Sequence, residues 1–267
     1  MTIAPDAAPT ARRQRTRNRL LGAAVIAFAR RGIVSTPIEE LCEEAGMTRG
    51  AFYSNFKSID ELVVNLIDCA VEHTIAGIRG IIATTEDTYS TDRATNTSDP
   101  HCRFTNLRQS AKTAFATQRL GWTTSVAWAI TEAEIELYSI RNPDVRSRYL
   151  ELQNAQVRAV GVEVEQLLSR HGARTTIPAQ TAIRHLAATD IRAARQSIPP
   201  RAVENAPTPD ASELIAQIMS QPGAEFDTSK LPEDSLLHPV ERELGPVLDL
   251  LSICLLYTSD AADDSLR

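Results

Sequence analysis

The stretch GMTRGAFYSNFKSIDEL occupies residues 46–62 and decides how this chain is read. It places a turn glycine, two helix-starting residues, three aromatics and one lysine side by side. Only 5 % of the chain is aromatic, so this crowding needs a reason. Gly46 suits the left-handed residue that stops one helix, and Thr48 suits the N-cap of the next. Phe52 and Phe56 lie four apart, share one helical face, and form the expected core plug of a small unit. Tyr53 turns away from that face, where its ring can pack on a sugar and its hydroxyl can meet a phosphate. Lys57 adds a positive charge at the helix end. Two short helices joined through a glycine turn, the second small-sided and positive, describe a helix-turn-helix. Such a unit lays its second helix in the major groove of DNA and offers its N-terminal residues to base edges. Gly50 lets the backbone come close, and Arg49 is long enough to reach a guanine.

Upstream of this stretch, Leu20, Leu21, Ala24, Val25, Phe28 and Ala29 recur at helical spacing. They predict a helix over residues 11–31 with Gly32 as its stop. Ser35-Thr36-Pro37-Ile38-Glu39 then reads as a capping box, with Thr36 at the N-cap and Pro37 at the first helical position. That short helix runs to about residue 45. Downstream, Ser58 and Glu61 form a second capping box. The helix they open carries Leu62, Leu66, Cys69 and Ala70 as a buried stripe and is expected to reach about residue 82.

The totals agree with an all-α chain. Hydrophobic residues make up 43 % of 267, enough for a core that alanine and leucine must largely fill, which favours helix. Net charge is −6 but unevenly spread. Residues 10–31 hold seven arginines and no acid, whereas residues 203–267 hold thirteen acids and three bases. A basic end of this kind suits a polyanion. Arg12, Arg13 and Arg15 read as an arm that reaches DNA backbone or minor groove. The four cysteines have no CxxC spacing, and the histidines His73, His101, His171, His185 and His238 have no metal-ligand spacing. No GxSxG, GxGxxG or Walker loop occurs. No metal, cofactor or enzymatic activity is therefore expected. No apolar run is long enough to span a membrane, and residues 10–19 are basic rather than leader-like, so a cytoplasmic protein is expected.

With these residues in view, "RNRLLGAAVIAFARRG" and "STPIEELCEEAGMTRGAFYSNFKSIDEL" resemble the N-terminal domain of the TetR/AcrR family of bacterial transcriptional regulators. The resemblance covers about sixty residues, from Arg15 to Val71. It implies an all-helical homodimer: a three-helix helix-turn-helix DNA-binding domain, then a helical ligand-binding and dimerisation domain. It also implies a repressor released from a palindromic DNA operator by a small-molecule effector; activation is the other mode. Carried over by position, Thr36, Thr48, Tyr53 and Lys57 would hold phosphates. Arg49, Gly50 and Asn55 would lie at or beside base edges, with Arg15 in the basic arm. The stretch ELYSIRNPDVRSRY, residues 136–149, resembles one common in the family's second domain.

The expected division is a lead over residues 1–10, a DNA-binding domain over 11–72 (helix-turn-helix about 36–55) and a helical body over 73–198. A proline-rich acidic segment follows over 199–253. In the body, residues 84–100 read as a loop. Helices are expected over 101–118, over 122–141 with Val126, Ala129, Ile130, Ala133 and Leu137 on one face, over 143–170, and over 178–196. No strand is expected. A last helix would lie over 212–221 or 239–253. Phe104, Phe115, Trp122, Trp128 and Tyr138 could line an apolar ligand pocket or simply be core. The contrasting functional reading is a helical ligand-binding protein or enzyme whose head no longer binds DNA. Finally, CLLYTSDAADD, residues 254–264, is what TGT CTC TTA TAC ACA TCT GAC GCT GCC GAC GAx encodes. That DNA resembles a transposon-end adapter from sequencing libraries, so residues 254–267 are expected to be a non-native tail.

Overall fold

The first helix, α1 (Ala11–Arg31), changes character half-way. Its first turns are polar and arginine-rich, and every residue from Leu20 to Ala29 is buried. A helix buried all round must be covered from more than one side. The sequence pattern anticipates one apolar face, and the structure adds Ala23, Ile26 and Ala27. The small side chains there let neighbouring helices approach closely. A computed structural model of the chain describes residues 11–93, 105–107, 109–111, 123, 125–199, 235–236 and 257–258.

Beyond α1 lie α2 (Ile38–Glu44), α3 (Arg49–Tyr53) and the long α4 (Ile59–Arg93). The body adds α5 (Val126–Arg141), α6 (Pro143–Arg170) and α7 (Ala179–Gln196). The helices obey their caps. The α5 start is fixed by Ser125, whose hydroxyl accepts from Trp128 N at 3.2 Å. Asn142 caps α6 by accepting from Val145 N at 3.3 Å, with Pro143 at the first position and Gly172 beyond the end at φ +69°.

Three expectations about the body are corrected. The helix predicted from residue 122 starts at Val126. Val126 and Ala129 of the expected face are buried, but Leu137 is 51 % exposed, and the buried face continues instead through Thr131, Ile135 and Ser139. Polar residues sit on the inner face because their hydroxyls are satisfied there. Thr131 donates to Val25 O of α1 at 2.9 Å, and Ser139 donates to Glu136 O at 2.7 Å. Second, α4 does not stop near residue 82 but continues to Arg93, through part of the expected loop. Thr85 and Thr88 turn their hydroxyls back onto Ile81 O and Thr84 O, and Tyr89 is buried against Leu107 and Leu168. Tertiary packing thus overrides a loop-like composition. Third, Ala173–Arg174 pairs antiparallel with Tyr257–Thr258, so a two-residue strand pair (β1, β2) joins the helices. The second of these falls within the residues read as a non-native tail. The expected helices over 212–221 and 239–253 lie outside the described residues, as does most of 101–118.

Ion pairs set the direction of the α4–α6 packing. Asp68 meets Arg148 at 3.6 Å, Arg79 meets Glu163 at 2.7 Å, and Glu86 meets Arg170 at 3.1 Å. Both partners advance together, so the two helices run parallel. Exposed pairs of this type contribute little stability and mainly fix register.

Head and body share one hydrophobic core. It includes Phe28, Leu41, Phe52, Phe56 and Leu66 from the head and Trp128, Ile135 and Leu152 from the body. The α4 helix runs unbroken through the expected boundary at residue 72. At its start, Asp60 accepts from Tyr138 Oη and from Asn142 Nδ2, the latter at 3.0 Å. Burial, then the bond to Asp60, pushes the Tyr138 phenol above its usual range. Tyr138→Phe removes one hydrogen bond from this junction. It is expected to cost about 1 kcal/mol, read from urea unfolding. An unchanged unfolding midpoint would show that Asn142 alone suffices.

Candidate nucleic-acid interface

The turn between α2 and α3 is built by backbone chemistry. Gly46 has φ +61°, which a side chain disfavours. Gly46 N donates to Glu43 O at 2.9 Å and Met47 N donates to Cys42 O at 2.7 Å, the paired bonds of a Schellman stop. Arg19 of α1 donates to Ala45 O at 2.9 Å and satisfies a further carbonyl of that end. Thr48 then starts α3, its hydroxyl accepting from Ala51 N at 3.2 Å. A five-residue helix cannot hold itself in water, so its anchors matter.

Those anchors are Phe52 and Phe56, 0 % and 1 % exposed, with ring centroids 5.9 Å apart. Arg17 of α1 clamps the far end. Its guanidinium lies 4.7 Å from the centroid of the Phe56 ring and donates to Asn55 O at 3.0 Å and to Asn65 Oδ1 of α4. Burial, then the Arg13 charge, pulls this guanidinium down, while Glu61 pushes it up. At the start of α4, Ser58 Oγ accepts from Glu61 N at 3.2 Å, and Glu61 accepts from Lys57 N at 2.7 Å. The reciprocal bond of that capping box is therefore made one residue early.

With its inner side anchored, the unit leaves Thr48, Arg49, Gly50, Tyr53 and Lys57 exposed. Tyr53 is 50 % exposed and stands edge-on to Phe52, with centroids 5.3 Å apart. Arg49 pairs with Glu39 of α2 at 2.7 Å. Its guanidinium is pushed up first by a hydrogen bond to the Tyr53 side chain and then by the Glu39 charge.

Two sequence-predicted contact residues are placed elsewhere. Thr36 is only 5 % exposed and donates its hydroxyl to Gly32 O at 2.7 Å. The N-cap of α2 is Pro37, with no side-chain cap bond, so the expected Thr36–Glu39 capping box is absent. Thr36 is drawn inward because the carbonyl left open at the end of α1 is nearer. Asn55 is 7 % exposed, and its amide donates to Ala51 O at 2.8 Å, closing the end of α3 rather than facing outward. Arg12, Arg13 and Arg15 are exposed in the first turns of α1, within the helix expected over residues 11–31. Sequence reasoning missed the Arg17 clamp and the Glu39–Arg49 pair. Both join separate elements, and only the excess of charge on α1 and α2 hinted at them.

Among the ligand-wall candidates, Trp128 is 6 % exposed within the shared core, and the Tyr138 hydroxyl is engaged by Asp60. Phe104, Phe115 and Trp122 lie outside the described residues.

Among the described residues, this geometry defines a helix-turn-helix head on a mostly helical body. Residues 20–66 match the family described as bacterial regulatory proteins, tetR family. Two curated relatives from Pseudomonas putida, the HTH-type transcriptional regulator TtgR and the probable HTH-type transcriptional regulator ArpR, are each 44 % identical over 55 residues. Each match covers 21 % of this chain and 26 % of the relative, so the likeness spans about a quarter of those proteins. A crystal structure from Mesorhizobium loti MAFF303099, described as a TetR-family transcriptional regulator, matches 92 % of this chain and 99 % of its own. Its TM-score is 0.50 at 14 % identity, a likeness of fold.

Proposed function

We propose that the chain is a ligand-responsive transcriptional regulator, in its simplest form a repressor. A homodimer binds a palindromic operator and is released when a small molecule occupies the body. The observation that carries this reading is the two-sided helix-turn-helix. Phe52 and Phe56 are sealed inside, while Thr48, Arg49, Gly50, Tyr53 and Lys57 are left exposed.

In this account Arg49 and Gly50 lie at base edges, because the N-terminal residues of a recognition helix enter the groove first. Thr48, Tyr53 and Lys57 contact phosphates, and Arg15 contributes from the exposed side of α1. Thr36 and Asn55 support the unit from within. A dimer sets two recognition helices about 34 Å apart, on successive turns of the major groove. An effector acts by favouring a state with a different spacing, and it must bind that state more tightly than the DNA-competent one. The route runs through α4, whose first turn holds Asp60 beside Tyr138 and Asn142 and which ends in the body.

Selection from randomised duplexes tests the reading. An inverted repeat with half-sites about one helical turn apart is expected. Recovery of unrelated sequences overturns it. Lys57→Ala is expected to weaken binding to all duplexes alike and to reduce the salt slope by about 2, roughly one contact from each protomer. A sequence-dependent loss would move Lys57 from phosphate to base.

A further inference from the structure

The second helix of the unit, α2, is the acidic one: Ile38–Glu44 carries four glutamates in seven residues. Two of them face back. Glu40 pairs with Arg31 at 2.8 Å and Glu44 with Arg30 at 3.1 Å, so the last turn of α1 neutralises them. Glu39 does not join that pattern. It crosses the turn to Arg49, the first residue of α3, at 2.7 Å, and both side chains are more than half exposed. A carboxylate on the DNA-facing side weakens attraction to a polyanion, so its position calls for an account.

Arginine presents several N–H donors in a rigid fork. Here one nitrogen, Nη1, is taken by Glu39 Oε1 at 2.7 Å. An arginine held at one edge keeps other donors for the O6 and N7 acceptors of a guanine. An arginine without that tether can bond whichever phosphate is nearest, which carries no sequence information. Leaving the tether also exposes the Glu39 charge beside the phosphate backbone.

We propose that Glu39 is a specificity-determining residue: it holds the Arg49 fork for a guanine and penalises complexes in which Arg49 turns to a phosphate. The proposal rests on the reading of α2–turn–α3 as a DNA-reading unit. Glu39 acts through Arg49 and is not itself assigned a base.

The test uses the full chain in four forms: parental, Glu39→Gln, Arg49→Ala and the double variant. Two duplexes serve as probes at one salt concentration. One is selected by the parental protein from a randomised pool, and the other is its scrambled counterpart. Glu39→Gln is expected to raise affinity for the scrambled duplex more than for the selected one, cutting the preference about tenfold. In the Arg49→Ala background the same change is expected to shift both duplexes by one factor, as loss of a negative charge alone should. Equal gains in the parental background overturn the proposal, because Glu39 is then only a diffuse repulsion. So does a loss of preference that persists without Arg49. A parental protein with no preference between the duplexes overturns the DNA-reading account itself, and this proposal with it.

Discussion

Phe52→Ala is expected to destabilise the protein by about 3–5 kcal/mol, the cost of emptying a fully buried aromatic site. The residue is 0 % exposed and packs on both Tyr53 and Phe56. It is also the main inward anchor of a helix only five residues long. Such a helix is held by packing rather than by its own propensity. The loss should therefore appear twice. Chemical unfolding should shift to lower denaturant, and DNA binding should fall further than global stability alone requires, because α3 loses its seat. Phe52→Leu should retain more of both, since it leaves a smaller void. A Phe52→Ala protein with unchanged unfolding and binding would mean that α3 is not positioned by this contact.

The second large effect is on specificity. Arg49→Ala is expected to reduce the preference for the selected duplex about tenfold to a hundredfold per half-site, the discrimination of one bidentate arginine–guanine contact in each. Affinity for unrelated duplexes should change much less. The substitution should be nearly silent for folding, because the Arg49 side chain is 59 % exposed and its ion pair with Glu39 is equally open. Binding measured on duplexes substituted at each position should show the loss concentrated at one base pair per half-site. If preference survives intact, the base-reading role belongs to another residue.

What could be read from the sequence follows from how local each signal is. Gly46, Thr48, Asn142 and Pro143 act on backbone groups within a few residues, and the elements they bound begin and end where expected. The Phe52–Phe56 pairing is equally local: Phe56 lies just past the end of α3, and its N donates to Phe52 O at 2.8 Å. Most of the misread features depend on contacts between distant residues, while Thr36 and Asn55 bond carbonyls four residues back that residue type alone does not point to. Threonine-rich α4 continues because Tyr89 finds Leu107 and Leu168. The inner face of α5 is hidden from apolar periodicity because Thr131 meets Val25 O across the core. Thr36 and Asn55 look outward-facing by type, yet backbone carbonyls within the fold claim them. The Glu39–Arg49 pair joins residues ten apart across a turn whose geometry only the folded unit reveals.

The central claim is that the exposed face of α2–turn–α3 reads DNA sequence. It is tested most directly by equilibrium binding of the full chain to a selected duplex and its scrambled counterpart across a salt series. For a dimer making about 6–10 phosphate contacts, affinity should fall about a thousandfold or more between roughly 50 and 200 mM salt. The preference for the selected duplex should persist throughout. Equal affinity for both duplexes at every salt concentration, or binding indifferent to salt, would contradict the account.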